Sequence, residues 1–585
     1  MSYAPEASGQ MKEVSLKASA TPFCHDRWRL FDRREERFSK VSMKSMQRVK
    51  SGLAVLLSGS ILFPSLGLAA PVSAAAAYQT ATPLKHVVVI FQENRSFDHY
   101  FATYPKAANV SGEPVFKALA DTPSVNNLAS AHLITNNPNS SAANGPDAAL
   151  PFRIDRTQAN TADQNHSYTP EQQAYDAGKM DLFPKYTGSA TSGSSGAFGT
   201  KGQVLGYFDG NTVTALWNYA QYYAMSDNNW TDTFGPSTPG AIEVVSGQTN
   251  GLQPIKGNML GSAYIHDGQG GYTLINDEDP AYDVCSTPSQ VLINTRNIGD
   301  LLNEKGITWG GFMGGFDLTR TNPNNTTGCN RSTYSDTVGT RTDYVAHHAW
   351  FQYFASTANP AHARPNSTAS IGFSTIPGTS TREPANHQYD IRDFYTAVKA
   401  GNFPAVSYIK MPAYQDAHPG NSDPLDEQNG IVTLVNFIQS QPEWASTAII
   451  IDYDDSDGWY DHAFHKPLWG SFDATADQLN GPGICGTVGS APKGVAGKPV
   501  NGRCGPGTRI PLIVISPYAR KNFVSHYLTS QASVVRFIED NWLSGKRLGG
   551  GSFDATAGEI DTMFDFTQTP NTTPLVLDPD TGSLR

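Results

Sequence analysis

Charge is scarce in this sequence: Asp, Glu, Lys and Arg make up 16% of its 585 residues, whereas 39% are hydrophobic. Disordered chains need the opposite balance, so disorder is excluded for most of the length. Cysteine is scarce too, five residues in all, which rules out a small disulfide-dense scaffold. No fixed-period repeat occurs, which removes solenoids and propellers. No uninterrupted apolar run reaches the roughly 20 residues of a membrane-spanning helix, so no stable membrane span is expected. What is plentiful is Gly, 53 residues, and Pro, 38; they imply the many turn-rich connections of a large enzyme rather than a helical bundle.

Positive charge is deficient in the body of the chain. The first 74 residues hold 11 Lys and Arg against 6 Asp and Glu, and the rest hold 31 against 47, a net of -16. Nucleic acid is therefore not an expected partner, since its phosphates need compensating cations. The basic start has its own reading. Lys44, Arg48 and Lys50 precede the apolar run Gly52 to Leu68, which Pro64 interrupts, and small residues follow, with Val72-Ser73-Ala74 offering a cleavage point. Residues 46–74 read as a signal peptide and the body as exported, to the periplasm or beyond. A long polar segment before such a signal is abnormal, and residues 1–45 are read as an untranslated or dispensable extension from a start codon placed too far upstream.

An exported body fits its cysteines. Setting aside Cys24, an even number remains: Cys285, Cys329, Cys485 and Cys504. Three pairings are open; Cys285 with Cys329 and Cys485 with Cys504 are favoured because each would staple a Gly, Asn and Pro-rich insertion. Their spacing does not suit a zinc site.

Four runs, Leu84 to Gln92, Pro404 to Lys410, Ala448 to Tyr453 and Ile510 to Ile515, are β-branched and nearly all apolar, as strands buried on both faces are. Helical patterns fall at Val213 to Ala224, Ser289 to Lys305, Ile391 to Ala400, Ile431 to Gln439 and Ser530 to Leu543. The alternation predicts an α/β domain over residues 84–545 with a largely parallel central sheet, and residues 546–585 as an extension of it. The Gly-rich stretches Thr187 to Gly199 and Gly481 to Gly507 are predicted loops.

Ligand sites in such sheets gather beyond the carboxyl ends of strands. There the first strand runs into Glu93-Asn94, and the run Ala448 to Tyr453 into Asp454-Asp455-Ser456-Asp457. Two carboxylate-rich ends at one sheet edge repel unless a cation lies between them, and an all-oxygen set suits one hard or borderline divalent metal ion. Helix capping and turn formation are the competing explanation for these acids. Ser237, in the turn-like Phe234-Gly235-Pro236-Ser237-Thr238-Pro239-Gly240, is a candidate nucleophile, because a bound metal can lower a hydroxyl's pKa. His166, the adjacent His347 and His348, and His418 complete the chemistry-bearing set, although a lone histidine is more often structural.

The phrases HVVVIFQENRSFDHYFATYP and IDYDDSDGWYDH, with GPSTPG, the histidine pair and DAHP in order between them, resemble the bacterial phosphoesterase superfamily of secreted phospholipases C and acid phosphatases of the acid phosphatase A type. The resemblance spans about residues 84 to 545. It implies an alkaline-phosphatase-like α/β sandwich that hydrolyses phosphate esters, either a phospholipid or a small monoester, through a metal-bound hydroxyl and a phosphoserine intermediate. It further implies Glu93, Asn94, Asp454 and Asp455 as metal ligands together with Ser237, Ser237 as nucleophile, and His166, His347, His348 and His418 as groups on the substrate phosphate, with His347 or His348 protonating the leaving alcohol. This chain departs from the pattern in reading Ser237-Thr238-Pro239-Gly240 where many members have Thr-x-Pro-Asn, which makes Thr238 a second candidate for the nucleophile. It also ends soon after its last predicted helix, where the larger phospholipases carry further β domains, and this tilts the expectation towards the phosphatase branch. Two other readings compete: an exported binding protein that retains the fold, disfavoured by the complete ligand set, and a sulfate-ester hydrolase, which would want a Cys or Ser converted to an aldehyde in a motif absent here.

Overall fold

The computed structural model describes residues 74–193 and 196–585. The signal peptide, but for Ala74, and the extension before it lie outside the described residues. Eight strands, β1 (His86–Gln92), β2 (Ala224–Ser226), β3 (Trp309–Met313), β4 (Gln388–Asp390), β5 (Val406–Lys410), β6 (Thr447–Tyr453), β7 (Leu512–Ile515) and β8 (Phe523–Ser525), form the main sheet. Their spatial order is β4-β3-β5-β1-β6-β7-β2-β8. Neighbours from β4 to β6 are parallel, as are β2 and β8, while β7 is antiparallel to both its neighbours. The largely parallel α/β sheet expected from the sequence is present, with strand ends shifted by one or two residues.

The central strands are buried throughout, Val87 to Phe91 and Ala448 to Ile451 being fully inaccessible, which is why they read as continuous apolar runs instead of alternating ones. Register is in step across the centre: Val87 faces Val406 of β5 on one side and Ala448 of β6 on the other. Helices cover the sheet. Ile391–Lys399 and Pro424–Gln439 pack together through Tyr395 and Phe437, whose rings lie 4.7 Å apart. The helix Ser237–Ser246 lies on the face carrying Tyr408, whose hydroxyl donates to the Val244 carbonyl at 3.2 Å.

Three expectations are corrected. Ser289 to Lys305 is not one helix: Gln290–Ile293 is a strand, and the helix Ile298–Lys305 starts at Asn297, whose side chain accepts from the Gly299 N–H while Asp300 reaches back to the Asn297 N–H. A capping box outranks the apolar period that runs through it. That strand belongs to a second sheet of five short strands, Asn250–Lys256, Tyr264–His266, Tyr272–Leu274, Asp279–Pro280 and Gln290–Ile293. The predicted helix Ile431 to Gln439 is longer, beginning at Pro424 with Asp423 as its cap. Ser237 is not in a turn but is the first residue of a helix. Both favoured disulfides form, Cys285 with Cys329 and Cys485 with Cys504.

Candidate active site

Because β1 lies between β5 and β6, the parallel ladder carries three strand ends to one edge. They deliver Glu93 and Asn94, Lys410, and Asp454 and Asp455. Asn94 sits at φ 57°, in the left-handed region that Asn tolerates better than most residues, and its N–H donates to Asp454 Oδ1 at 2.8 Å. Asp454 Oδ1 also accepts the Asp455 N–H, and Asp455 Oδ1 the Asp457 N–H at 2.6 Å. These bonds fix the carboxylates before any ligand arrives.

Ser237 points into the cluster. Its hydroxyl lies 3.0 Å from Glu93 Oε2 and 3.3 Å from Asp455 Oδ2, in donating position to both. It stands at a helix N-terminus, where unpaired N–H groups and the helix dipole favour negative charge. Gly240 lets that helix approach: a Cβ there would lie 2.2 Å from the Asp454 carbonyl oxygen. Thr238 is committed elsewhere, its hydroxyl and N–H both donating to Asp277 Oδ1.

The histidines divide. His348 Nδ1 is 3.2 Å from Glu93 Oε1 and 3.6 Å from Asp416 Oδ2. His166 Nδ1 is 3.2 Å from Asp457 and 3.5 Å from Asp163, and its Nε2 is 3.3 Å from the Asn94 amide nitrogen. His418 lies between them, its ring 6.1 Å from that of His166 and 6.0 Å from that of His348. His347 stands at the rim, partly exposed, with Asp279 at 3.8 Å. The sequence reading assigned no role to Lys410, whose ammonium pairs with Glu93, nor to Asp163, Asp416 and Asp457. Lys410 was within reach, as the last residue of a predicted strand aimed at the predicted edge; the others are legible only once the fold sets them against His166 and His348.

Electrostatics separate the groups further. Burial, reinforced by the Asp454 charge, pushes Glu93 up. Burial acts on Asp454 in the same direction, but the Lys410 charge and hydrogen bonds hold it below the usual carboxylate range. Burial would lower His166, yet Asp455, Asp457 and Asp163 raise it well above the ordinary imidazole value. His348 is lowered, by burial first and then by the neighbouring His347 and Lys410.

Among the described residues, Glu93, His348 and His418, and likewise Asp163, His166 and His418, bring ligand atoms close enough together to hold a metal ion, whereas Glu93, Asp454 and Asp455 are not drawn together in this way. The Asn94 Oδ1 and Asp454 Oδ2 atoms are buried and accept no hydrogen bond, a costly condition that a cation relieves. Together with Glu93, Asp455 and the Ser237 hydroxyl they make an all-oxygen donor set. A cleft of about 510 Å³ opens beside it, walled by Asp163, His166, Pro236, Met259, Asn276 and Asp277.

Carboxylates and a carboxamide at the strand ends of an α/β sheet, a buried hydroxyl at the helix N-terminus facing them and imidazoles around them gather the groups that ester hydrolysis uses. The chain belongs to the Phosphoesterase family, whose model matches residues 84–543. It is 24% identical over 547 residues to a non-hemolytic phospholipase C of Pseudomonas aeruginosa, covering 92% of this chain and 66% of that protein. It is 22% identical to phospholipase C A of Mycobacterium tuberculosis over 86% of this chain and 81% of that one. The chain thus spans just under two thirds of the Pseudomonas protein's length. A solved alkaline phosphatase superfamily protein from Vibrio parahaemolyticus aligns with 70% of this chain and 75% of its own at 11% identity and a TM-score of 0.25, too low to bear on the assignment.

Proposed function

We propose that the protein is an exported, metal-dependent phosphoric ester hydrolase of the phospholipase C type, with Ser237 as nucleophile. The observation that carries this is the Ser237 hydroxyl, buried at a helix N-terminus and shared by Glu93 and Asp455. Family membership and the phospholipase C relatives support the reaction class; the two disulfides fit an oxidising compartment; and no helix among the described residues is long and apolar enough to cross a membrane. Glu93, Asn94, Asp454 and Asp455 would hold the divalent ion, which when bound supplies the Lewis acidity that makes a serine hydroxyl reactive near neutral pH.

Ser237 Oγ attacks phosphorus in line, its proton passing to Glu93 or Asp455, the carboxylates it faces, and the Oγ–P bond forms as the bond to the leaving alcohol breaks. His166, paired with Asp457 and Asp163, balances charge on the phosphoryl oxygens and gives the leaving oxygen its proton. Water then attacks the phosphoserine, its proton passes to His166, and Ser237 leaves as the hydroxyl with the proton returned by the carboxylate that took it. This revises the expectation for the acid: burial leaves His348 neutral, suited to orienting Glu93 and Asp416, and His347 stands at the rim.

The test is turnover of p-nitrophenyl phosphate and p-nitrophenylphosphorylcholine, with and without chelator, by the mature protein and by Ser237→Ala. We expect chelator-sensitive release from the choline diester and a loss of about 1000-fold or more in Ser237→Ala. Near-normal turnover by Ser237→Ala with metal bound would sink the nucleophile assignment. Release from the monoester alone would mean a phosphatase, and silence on both would favour a binding protein.

A further inference from the structure

The helix Tyr168–Tyr175 starts two residues after His166 and takes no part in the steps above. Three of its side chains fasten it to residues 476–479: the Tyr168 hydroxyl donates to Asp477 Oδ1 at 2.8 Å, the Thr169 hydroxyl donates to the Ala476 carbonyl, and the Gln172 side chain accepts the N–H groups of Gln478 and Leu479. Its one acidic residue, Glu171, is buried and reaches two segments of the centre. Glu171 Oε2 accepts the Gly235 N–H at 3.0 Å, and Oε1 accepts the Ser456 hydroxyl at 3.1 Å. Gly235 stands two residues before Ser237, and Ser456 directly follows Asp455. The Ser456 oxygen in turn accepts the Gly458 N–H. One carboxyl therefore spans from the turn that presents the nucleophile to the loop that presents a carboxylate facing it.

We propose that Glu171 is a positioning residue, clamping the Gly235 turn to the Ser456 loop so that the Ser237 hydroxyl stays in reach of Asp455 Oδ2, 3.3 Å away. Burying a carboxyl is unfavourable unless its oxygens are bonded, and here each oxygen is engaged by a different one of the two segments that must keep their spacing. Pro236, between Gly235 and Ser237, has no N–H of its own, so the bond from Gly235 is what ties this stretch to the helix. His166 belongs to the same arrangement: it pairs with Asp457, the neighbour of Ser456, at 3.2 Å. The helix and the residue pair before it thus hold Ser456 and Asp457 together, and a shift of the helix would move clamp and proton donor at once. The inference rests on Ser237 as the nucleophile and adds a residue that sets where it stands.

The test uses whichever of the two p-nitrophenyl esters the wild type turns over. Glu171→Ala removes both bonds, and kcat should fall about 100-fold, the scale of a reacting group displaced by about an ångström, while KM stays within about twofold. Glu171→Gln should keep kcat within about threefold, because a carboxamide oxygen still accepts the Gly235 N–H and its own N–H can be accepted by Ser456. Ser456→Ala breaks one of the two bonds and should lower kcat by about tenfold, and the double variant with Glu171→Ala should be no slower than Glu171→Ala alone, as expected of residues acting as a unit. A near-normal kcat in Glu171→Ala, a loss confined to KM, a Glu171→Gln as slow as Glu171→Ala, or losses that multiply in the double variant each overturn the clamp. Where circular dichroism shows that Glu171→Ala does not fold, Ser456→Ala decides: an unchanged kcat overturns the proposal. The nucleophile reading fails separately, through near-normal turnover by Ser237→Ala, whereas an enzyme that needs Ser237 and is indifferent to Glu171→Ala overturns the clamp alone.

Discussion

At Lys410 the sheet sets an ammonium group on the same Glu93 carboxylate that the serine hydroxyl uses, both residues fully buried. Breaking a buried pair costs about 3 to 5 kcal/mol because one charge is left without its partner. A divalent ion supplies positive charge at the same place. Lys410→Ala should therefore lose about that much stability in chelated protein and much less when metal is restored, as measured by urea unfolding in the two conditions. An equal loss in both would mean that Lys410 does not offset the ligand charges. Single residues were legible in the sequence to the extent that their motif was: Glu93, Asn94, Asp454 and Asp455 follow strands that apolar runs announce. Lys410 ends such a run as well, but a lysine closing a strand commonly turns to solvent, and only the burial of this edge makes it part of the centre.

The helix Ser237–Ser246 is the element that brings the nucleophile to the sheet, and Gly240 sets its distance. At an open helix position Gly→Ala stabilises by about 0.5 to 1 kcal/mol. Here the added Cβ would lie 2.2 Å from the Asp454 carbonyl, and the helix must retreat. Displacing a reacting group by about an ångström costs on the order of 100-fold in rate. Gly240→Ala should therefore lower kcat by about 100-fold with the fold retained by circular dichroism; unchanged kcat would show that Ser237 is not positioned by this contact. The start of this helix was illegible because Gly235-Pro236 and Pro239-Gly240 carry turn chemistry on both sides of Ser237, while proline is in fact well suited to a first helical turn. The small sheet escaped for another reason: four of its strands are two to four residues long, too short for a period of two to stand out, and the fifth, Asn250–Lys256, carries Gly251 and Pro254, which read as turn residues. The main strands, buried on both faces, were the easiest elements to read.

For the molecule as a whole, buried carboxyls set how stability follows pH. Burial pushes Glu243 up to about 8 despite the nearby Arg503, and Glu539 up to about 9, with Asp554 adding to the rise. Each keeps a proton in the folded state that the unfolded chain releases near the ordinary Glu value. Their contribution is complete below about pH 4.3 and fades as pH climbs towards 8 and 9, by up to about 1.4 kcal/mol per pH unit for each group. Asp283 works the other way: burial would raise it, but its bond and charge contact with His362 hold it down, so its contribution is present above the ordinary Asp value and is lost as pH falls through the lower, folded one. The melting temperature should peak in mildly acid solution, fall towards pH 9, and fall less steeply in Glu243→Gln and Glu539→Gln; a flat profile from pH 5 to 9 would contradict this.

The position of β1 bears on how the chain reaches this state. It is the first strand of the main sheet to be synthesised, yet both its neighbours, β5 and β6, begin more than 300 residues later, at Val406 and Thr447. Until most of the chain exists, the segment HVVVIFQ has neither edge covered, and pairing across so long a separation is slow. An unpaired, uncharged β-branched segment is also an aggregation template. Placing the Glu93-Asn94 end at the centre of the sheet, where the site needs it, therefore makes the nascent chain dependent on protection from its own kind.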